Sequence, residues 1–360
     1  MIKKVLFIIS FLYVQYTFAQ APKYSNEFLA IGVGARALGM SGSVVASSSS
    51  AYSAYWNPAG LVFMKDSRQL SLMHAEYFAG ISKYDYGSFA ARVDAQSVIA
   101  VSMIRFGVDN IPNTSELIDA EGNINYDKVT SFSAADYAFL LSYARESKIE
   151  GLSLGGNVKI IRRKVGDFGS SWGFGIDLAA QYHKDKWKFG AVLRDATSTF
   201  NAWSFNLDDE MKDVFARTGN EIPKSSLELT MPRLNLGAAR SFDLPANFSV
   251  LLELDIDITT DGKRNVLIKG DPFSIDPHFG LEIDFHKIVF LRAGIGNIQD
   301  ETGIDNGKHK TFQPNIGIGI RIKDVLTIDY ALTDIGDQSL ALYSNVFSIR
   351  FSFTPKKSKD

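Results

Sequence analysis

Phe312-Gln-Pro-Asn-Ile-Gly-Ile-Gly-Ile-Arg-Ile322 alternates without interruption: every even position is apolar, and the odd ones are Gln313, Asn315, Gly317, Gly319 and Arg321. A period of two places one set on each face of an extended strand, so one face is greasy and the other polar. Trp172 to Tyr182 repeats the pattern, with Trp172, Phe174, Ile176, Leu178 and Tyr182 opposite Gly173, Gly175, Asp177 and Gln181. Phe248 to Ile258 sets Phe248, Val250, Leu252, Leu254, Ile256 and Ile258 against Glu253, Asp255 and Asp257. Trp187 to Arg194, Phe279 to Phe285, Leu326 to Leu332 and Tyr343 to Phe353 behave alike.

Working outward, such segments fall at 68-77, 82-93, 97-107, 132-146, 150-165, 170-183, 186-196, 229-241, 247-260, 276-285, 288-296, 311-322, 325-333 and 343-353. Most reach the roughly 9 to 11 residues that cross a bilayer obliquely. Soluble sandwiches and propellers use similar strands, so the connections decide. Every even-numbered connection is short, as at Lys184-Asp185, His286-Lys287 and Lys323-Asp324. The long ones, at 108-131, 197-228, 261-275 and 297-310, are all odd-numbered. Long loops confined to one end of an even-stranded sheet indicate short periplasmic turns and long extracellular loops. The expected fold is all-β: a 14-stranded antiparallel transmembrane β-barrel over 68-353, with 354-360 as a periplasmic tail.

The 360 residues include no cysteine and carry a net charge of -2. That excludes disulfides, Cys-ligated zinc, a Cys nucleophile and a lipid on an N-terminal Cys. Near-neutral charge gives no reason to expect nucleic acid as a partner. Beyond the first twenty residues no apolar run approaches the roughly 20 residues of a spanning helix, which excludes a helical inner-membrane protein. Lys3 and Lys4, the apolar Val5 to Phe18 and the small Ala19 make residues 1-19 a secretory signal peptide, so the mature chain starts at Gln20 and leaves the cytoplasm.

In a barrel the polar faces become the lumen. Asp177, Arg194, Arg233, Glu253, Asp255, Asp257, Arg292, Arg321, Asp329 and Arg350 all fall on the polar parity, in both signs, and predict ion pairs across the lumen that hold the barrel shut. Residues 20-67 are different in kind. Phe28 to Ser43 is rich in small residues without strand alternation, and Ser47 to Leu61 predicts a serine-capped helix over Ala51 to Tyr55 ended by Asn57-Pro58. Such a segment has too little surface to fold alone. It reads as a plug or hatch packed inside or under the barrel.

Gly32-Val-Gly-Ala-Arg-Ala-Leu-Gly-Met40, Ala54-Tyr-Trp-Asn-Pro-Ala-Gly-Leu61, Asp329-Tyr-Ala-Leu-Thr-Asp-Ile-Gly-Asp337 and Ser348-Ile-Arg-Phe351, taken in order, resemble the PorV/PorQ family of Bacteroidetes outer-membrane proteins. Leu141 to Arg145 and Gly156 to Ile160 are similar as well. The Asn57-Pro58-Ala59 element also resembles the hatch of the wider FadL group of barrels, and makes Gly34, Arg36, Gly39, Trp56, Asn57, Pro58, Ala59 and Gly60 the candidate hatch motif. The resemblance implies a place in the type IX secretion system. Its partners would be an outer-membrane translocon barrel and secreted proteins bearing C-terminal signal domains.

Catalytic readings fare poorly. The five histidines include no pair at metal-ligand helical spacing. Gly169-Ser-Ser-Trp-Gly173 matches a nucleophile-elbow pattern, but a strand follows where a helix is required. Gly32-Val-Gly34 has no strand before it and reads as close backbone packing. We therefore expect no enzyme, no metal and no cofactor. Asp119 to Asp127 lacks the order of a calcium loop and reads as a small extracellular hairpin. Phe200, Trp203, Phe205 and Phe215, in the longest loop, form either a partner-docking surface or a lid packed on the barrel mouth. Two functions remain open: a protein-binding barrel of the secretion system, or a FadL-like channel for small hydrophobic compounds. The charged lumen disfavours the second, since an apolar ligand gains nothing from Glu253, Asp255 and Asp257.

Overall fold

Alternating sequence gives alternating faces, and in a closed sheet those faces are inside and outside. The computed structural model describes residues 25–118, 122–302, 307–335 and 343–353; the expected signal peptide at 1-19 and the expected tail at 354-360 lie outside them. The strands are β1 (Arg68–Tyr77), β2 (Ser82–Arg92), β3 (Ser97–Asn113), β4 (Thr130–Glu146), β5 (Leu152–Val165), β6 (Gly169–Lys184), β7 (Trp187–Arg194) and β8 (Thr199–Phe205). They continue with β9 (Ser226–Thr230), β10 (Arg233–Leu244), β11 (Phe248–Thr259), β12 (Ser274–Phe285), β13 (Val289–Thr302), β14 (Lys308–Ile322), β15 (Leu326–Thr333) and β16 (Ser344–Phe353).

These sixteen segments make fourteen wall strands. β7 pairs with the lower part of β6 (Leu178 to Lys184) and β8 with its upper part (Gly169 to Phe174), so the two are one strand interrupted at Asp195 to Ser198. β9 and β10 pair with β8 and β7 in the same way, interrupted at Met231-Pro232. Pro232 has no N–H to give to a ladder, which is why the interruption falls there. At the other break Asp195 and Ser198 take left-handed conformations, φ 54° and 57°. Antiparallel pairing of β1 with β16, from Arg68↔Phe353 to Glu76↔Asn345, closes the ring.

The alternation sorts as expected around most of the wall. Leu252, Leu254, Phe312, Ile316, Ile318 and Ile320 are exposed on the outer face, where lipid is the solvent, while Glu253, Asp255 and Asn235 are buried inside. No helix among the described residues is long and apolar enough to cross a membrane; the strands do so.

The extracellular ends differ from expectation. β13 runs to Thr302 and β14 starts at Lys308, so most of the stretch expected as loop 297-310 is strand. The stretch expected as loop 197-228 holds β8, β9 and a helix, Asp209–Arg217, capped by Asp208 Oδ1 accepting from Met211 N at 2.7 Å. Strand pairing does not stop at the membrane surface, whereas the lipid-imposed alternation does. Ile118 and Ile124 bridge in antiparallel fashion at the base of the small hairpin expected near Asp119 to Asp127, whose residues 119–121 lie outside those described.

Arginine in place of outward-facing Leu254 or Ile318 should cost about 2–4 kcal/mol at mid-depth. Urea unfolding in lipid vesicles checks this; an unchanged midpoint would mean that this face does not meet lipid.

Candidate functional site

Residues 25–67 form only short pieces: 3-10 turns at Glu27–Leu29 and Pro58–Phe63, and helices α1 (Ala35–Gly39) and α2 (Ser53–Trp56). None can bury a core by itself, and all lie within the ring of strands. α1 packs against β13 to β16, and Pro58–Phe63 against β3 to β6. Val33, Ala35, Met40, Leu61 and Met64 are fully buried there.

Glycines on the lumen face let the segment's backbone reach the wall. A Cβ on Gly294 would stand 2.3 Å from the Met40 carbonyl carbon, on Gly190 2.2 Å from Val45 O, and on Gly155 2.6 Å from Ala59 N. Gly317 and Gly39 face each other so closely that a Cβ on Gly39 would lie 3.1 Å from Gly317 Cα. The alternation places Gly317 on the polar face and says nothing of this contact. The recurrence of glycine on that parity in successive strands is the signal that could have found the contact.

The candidate hatch residues are brought together in the lumen. Asn57, wholly buried, donates from Nδ2 to Val45 O (2.8 Å) and Ala180 O (3.2 Å) and accepts at Oδ1 from Ala59 N (3.1 Å). It thereby ties the segment to itself and to β6. Pro58 opens the following 3-10 turn, so Asn57-Pro58 both ends α2 and starts the next element. The expected serine cap is absent: α2 begins at Ser53 after Tyr52, and Ser53 Oγ instead accepts from Ser50 N at 3.0 Å. Trp56 Nε1 donates to Val33 O at 2.8 Å. Gly60 has no room for a side chain, since a Cβ would meet Ser48 O at 2.3 Å and Gln181 Oε1 at 2.4 Å. Ala59 is buried against Val45, Ala179 and Val192. Gly34 holds φ 85° beside the Tyr52 ring.

The lumen charges do a different job from the one expected. Glu253 Oε1 accepts from Ala46 N (2.7 Å) and Ser47 N (3.1 Å), and Asp255 Oδ2 from Val44 N (2.8 Å) and Val45 N (2.9 Å). Four consecutive backbone N–H groups of a turn thus find their acceptors on one wall strand. Arg36 Nε bonds Glu282 at 2.9 Å; Arg292 bonds Glu282 at 2.6 Å and Asp329 at 2.7 Å. Burial alone would lower Arg36, but Glu282, with Glu253 and Asp329, outweighs it and raises the guanidinium above its ordinary range. Arg194 lies over the Tyr55 and Trp56 rings at 4.6 and 5.9 Å. Asp177 bonds Lys159 at 2.8 Å, and Lys159 also bonds Asp195 at the strand break. Asp257 accepts from Asn235, Arg321 stacks on Phe290 at 5.3 Å, and Arg350 donates to Thr327 at 3.1 Å. Among the ten predicted lumen charges, only Arg292 and Asp329 bond each other, along the wall across Gly319. The predicted ladder of cross-lumen pairs is therefore corrected: Glu253, Asp255 and Arg194 hold the segment, while Asp177, Asp257, Arg292, Arg321, Asp329 and Arg350 meet neighbours on the wall. Glu282, a charge on the same polar parity, completes the Arg36–Arg292 network, and Lys159, which the alternation did not single out, completes that of Asp177 and Asp195.

Two cups remain. The outer, about 650 Å³, is lined by Arg233, Asn235, Asp257, Arg264, Asp276 and His278 with Trp56 and Val45 at its floor. Over it Arg264 pairs with Asp261 and Glu27, and Asp261, though pushed up by burial, is held below its ordinary range by Arg264. The inner cup, about 290 Å³, is lined by Arg36, Ser47, Lys188, Glu282, Arg321 and Arg350. No described residue lines both.

The four aromatics weighed as a docking loop are dispersed. Phe200, Trp203 and Phe205 lie on β8, a wall strand rather than a loop. Trp203 and Phe205 stack at 5.7 Å with Arg163 over Trp203 at 5.1 Å, Phe200 faces outward, and Phe215 sits on the extracellular helix.

A closed fourteen-stranded wall, apolar outside and charged within, defines an outer-membrane β-barrel protein. A family profile described as "Type IX secretion system protein PorV" matches residues 20–218, more than half of the chain, and the chain belongs to that family. Solved structures share the fold. The Ralstonia pickettii toluene transporter TbuX is 13% identical over 89% of this chain and 98% of that one, with a TM-score of 0.53. The CymD monoaromatic hydrocarbon channel is 14% identical over 90% and 98%, TM-score 0.55. A Pseudomonas aeruginosa FadL homologue is 11% identical over 89% and 98%, TM-score 0.53. No curated protein sequence matches the chain.

Asn57→Ala leaves Val45 O without its side-chain donor and should cost about 1–3 kcal/mol. Gly60→Val should cost about as much by displacing Ser48 or Gln181. Both are read from urea midpoints, and wild-type midpoints would show that the segment does not contribute to the folded barrel's stability.

Proposed function

We propose that this barrel acts in the type IX system as a protein-binding component. Its rigid wall presents surfaces to an outer-membrane translocon barrel and to the C-terminal signal domains of secreted cargo, and residues 20-67 serve as the hatch that keeps its own lumen closed. Membership of the PorV family over residues 20–218 carries this reading. The lumen supports it: the segment is bonded to β11, β12 and β6 by charged and amide side chains, and the cups on either side share no lining residue.

The fold neighbours support a second reading, a channel for small hydrophobic compounds, because two of them are hydrocarbon transporters or channels by description. The outer cup argues against it here. Its Arg233, Asp257, Arg264, Asp276 and His278 would each have to be desolvated by an apolar ligand that offers them no partner.

Affinity purification of the tagged protein from outer membranes, followed by mass spectrometry, should recover a translocon barrel or proteins with C-terminal signal domains. A purified barrel holding a small apolar ligand and no protein partner would overturn the reading in favour of the channel. For the hatch, the double variant Asn57→Ala/Pro58→Ala should raise influx of small solutes into vesicles. Unchanged influx through a normally assembled barrel would remove the plug role.

A further inference from the structure

The apolar parity of the outer wall fails across three adjacent strands. On β1, β2 and β3, His74, Asp85 and Arg105 stand directly beside one another in register and point outward, the inward positions being Met73, Tyr84 and Ile104. His74 Nδ1 lies 2.7 Å from Asp85, and Arg105 lies 3.6 Å from both Asp85 and Asp109. Glu76 and Lys83 face each other one step further out. The side chains of His74 and Asp85 are 47% and 43% exposed.

Their depth is what makes them unusual. His74, Asp85 and Arg105 stand six, seven and eight residues from the periplasmic ends of their strands, at Arg68, Arg92 and Ser97. At about 3.3 Å per residue and a tilt near 40°, that is about 15 to 20 Å up a lipid-facing band about 25 Å tall. Elsewhere on the wall, the outward positions from Phe248 to Ile258 and from Ile322 to Phe312 are apolar for their whole length. Apolar surface also resumes beyond the charged row, where Phe78 and Ile81 are exposed in the β1–β2 turn. A polar row bracketed by apolar residues is not the rim of the barrel.

We propose that the outer face of β1 to β3 docks against the wall of a second integral outer-membrane protein. Hydrocarbon offers these side chains no partner, whereas a protein wall can supply hydrogen bonds and exclude lipid. The mixed charge identifies the occupant: His74, Lys83 and Arg105 alternate with Glu76, Asp85 and Asp109. Anionic lipid headgroups would be repelled by the three carboxylates. A protein surface with polar groups of its own fits, and His74, Asp85, Arg105 and Asp109 are already paired with one another, so covering that row strands none of the four. The apolar Leu72, Met103 and Phe139 beneath supply packing area. The inference rests on the protein-binding reading above and specifies which wall is used.

Photo-crosslinking residues at Leu72 and Met103, with Leu254 on the opposite wall and Ile318 three strands from β1 for reference, test it in native outer membranes. The first pair should yield at least a ~ten-fold excess of one adduct, identified as an integral outer-membrane protein, and the variant His74→Leu/Asp85→Leu/Arg105→Leu should remove that excess while the barrel stays heat-modifiable and folded. Equal yields from all four positions, adducts to lipopolysaccharide alone, or an undiminished adduct in the folded triple variant would overturn the proposal. An adducted outer-membrane protein foreign to type IX secretion would uphold the docking wall and overturn the secretion reading. A translocon adduct from Leu254 or Ile318 only would do the reverse.

Discussion

The ladder between β1 and β16 is the contact on which everything else depends. In a bilayer an open sheet edge leaves a row of N–H and C=O groups with nothing to bond, so the sheet must close or leave the membrane. Once Arg68 to Glu76 pair with Phe353 to Asn345, every residue is assigned to lumen or lipid by parity alone. The lumen is then a polar cavity with no water-excluding core of its own, and the N-terminal segment, which cannot fold by itself, supplies one. Wall and segment are each incomplete: one has buried charges in want of partners, the other has turn N–H groups in want of acceptors.

The carboxylates of β11 show how that mutual need is met. Glu253 and Asp255 lie side by side on one face and would repel each other if left alone. Four backbone N–H groups from Val44 to Ser47 converge on them, and Arg36 reaches Glu282 on the neighbouring strand. Backbone donors need no side-chain entropy to hold in place, so this anchoring suits a segment built of alanine, glycine and serine. The lumen glycines serve the same end, since donors can reach wall carboxylates only where the wall carries no Cβ.

The wall was legible in the sequence because lipid enforces it residue by residue: the segments at 68-77, 311-322 and 325-333 fall within a few residues of β1, β14 and β15. Past the membrane surface that enforcement stops, which is why β13 and β14 extend unannounced and why the 197-228 stretch hid two strands. The lumen charges were legible as a set, but their partners were not. The partner of Glu253 is a backbone amide about two hundred residues away, and no side-chain pattern encodes it. The outward row on β1 to β3 was written plainly as charges on the apolar parity, and escaped because strands were recognised by where alternation held rather than by where it broke.

On the proposed reading, a lumen divided by the segment leaves binding to the outside of the barrel. A channel needs a path, and between the two cups polar groups hold the segment in place: Asn57 to Ala180, Arg36 to Glu282, Glu253 to Ala46. Opening the path would require breaking several buried charge-assisted bonds at once, each of which loses its partner in a setting where water cannot fully replace it. A wall, by contrast, can act without moving. A rigid, closed cylinder whose outer surface departs from lipid compatibility across β1 to β3 is suited to the proposed binding, and the segment that closes its lumen also stiffens it.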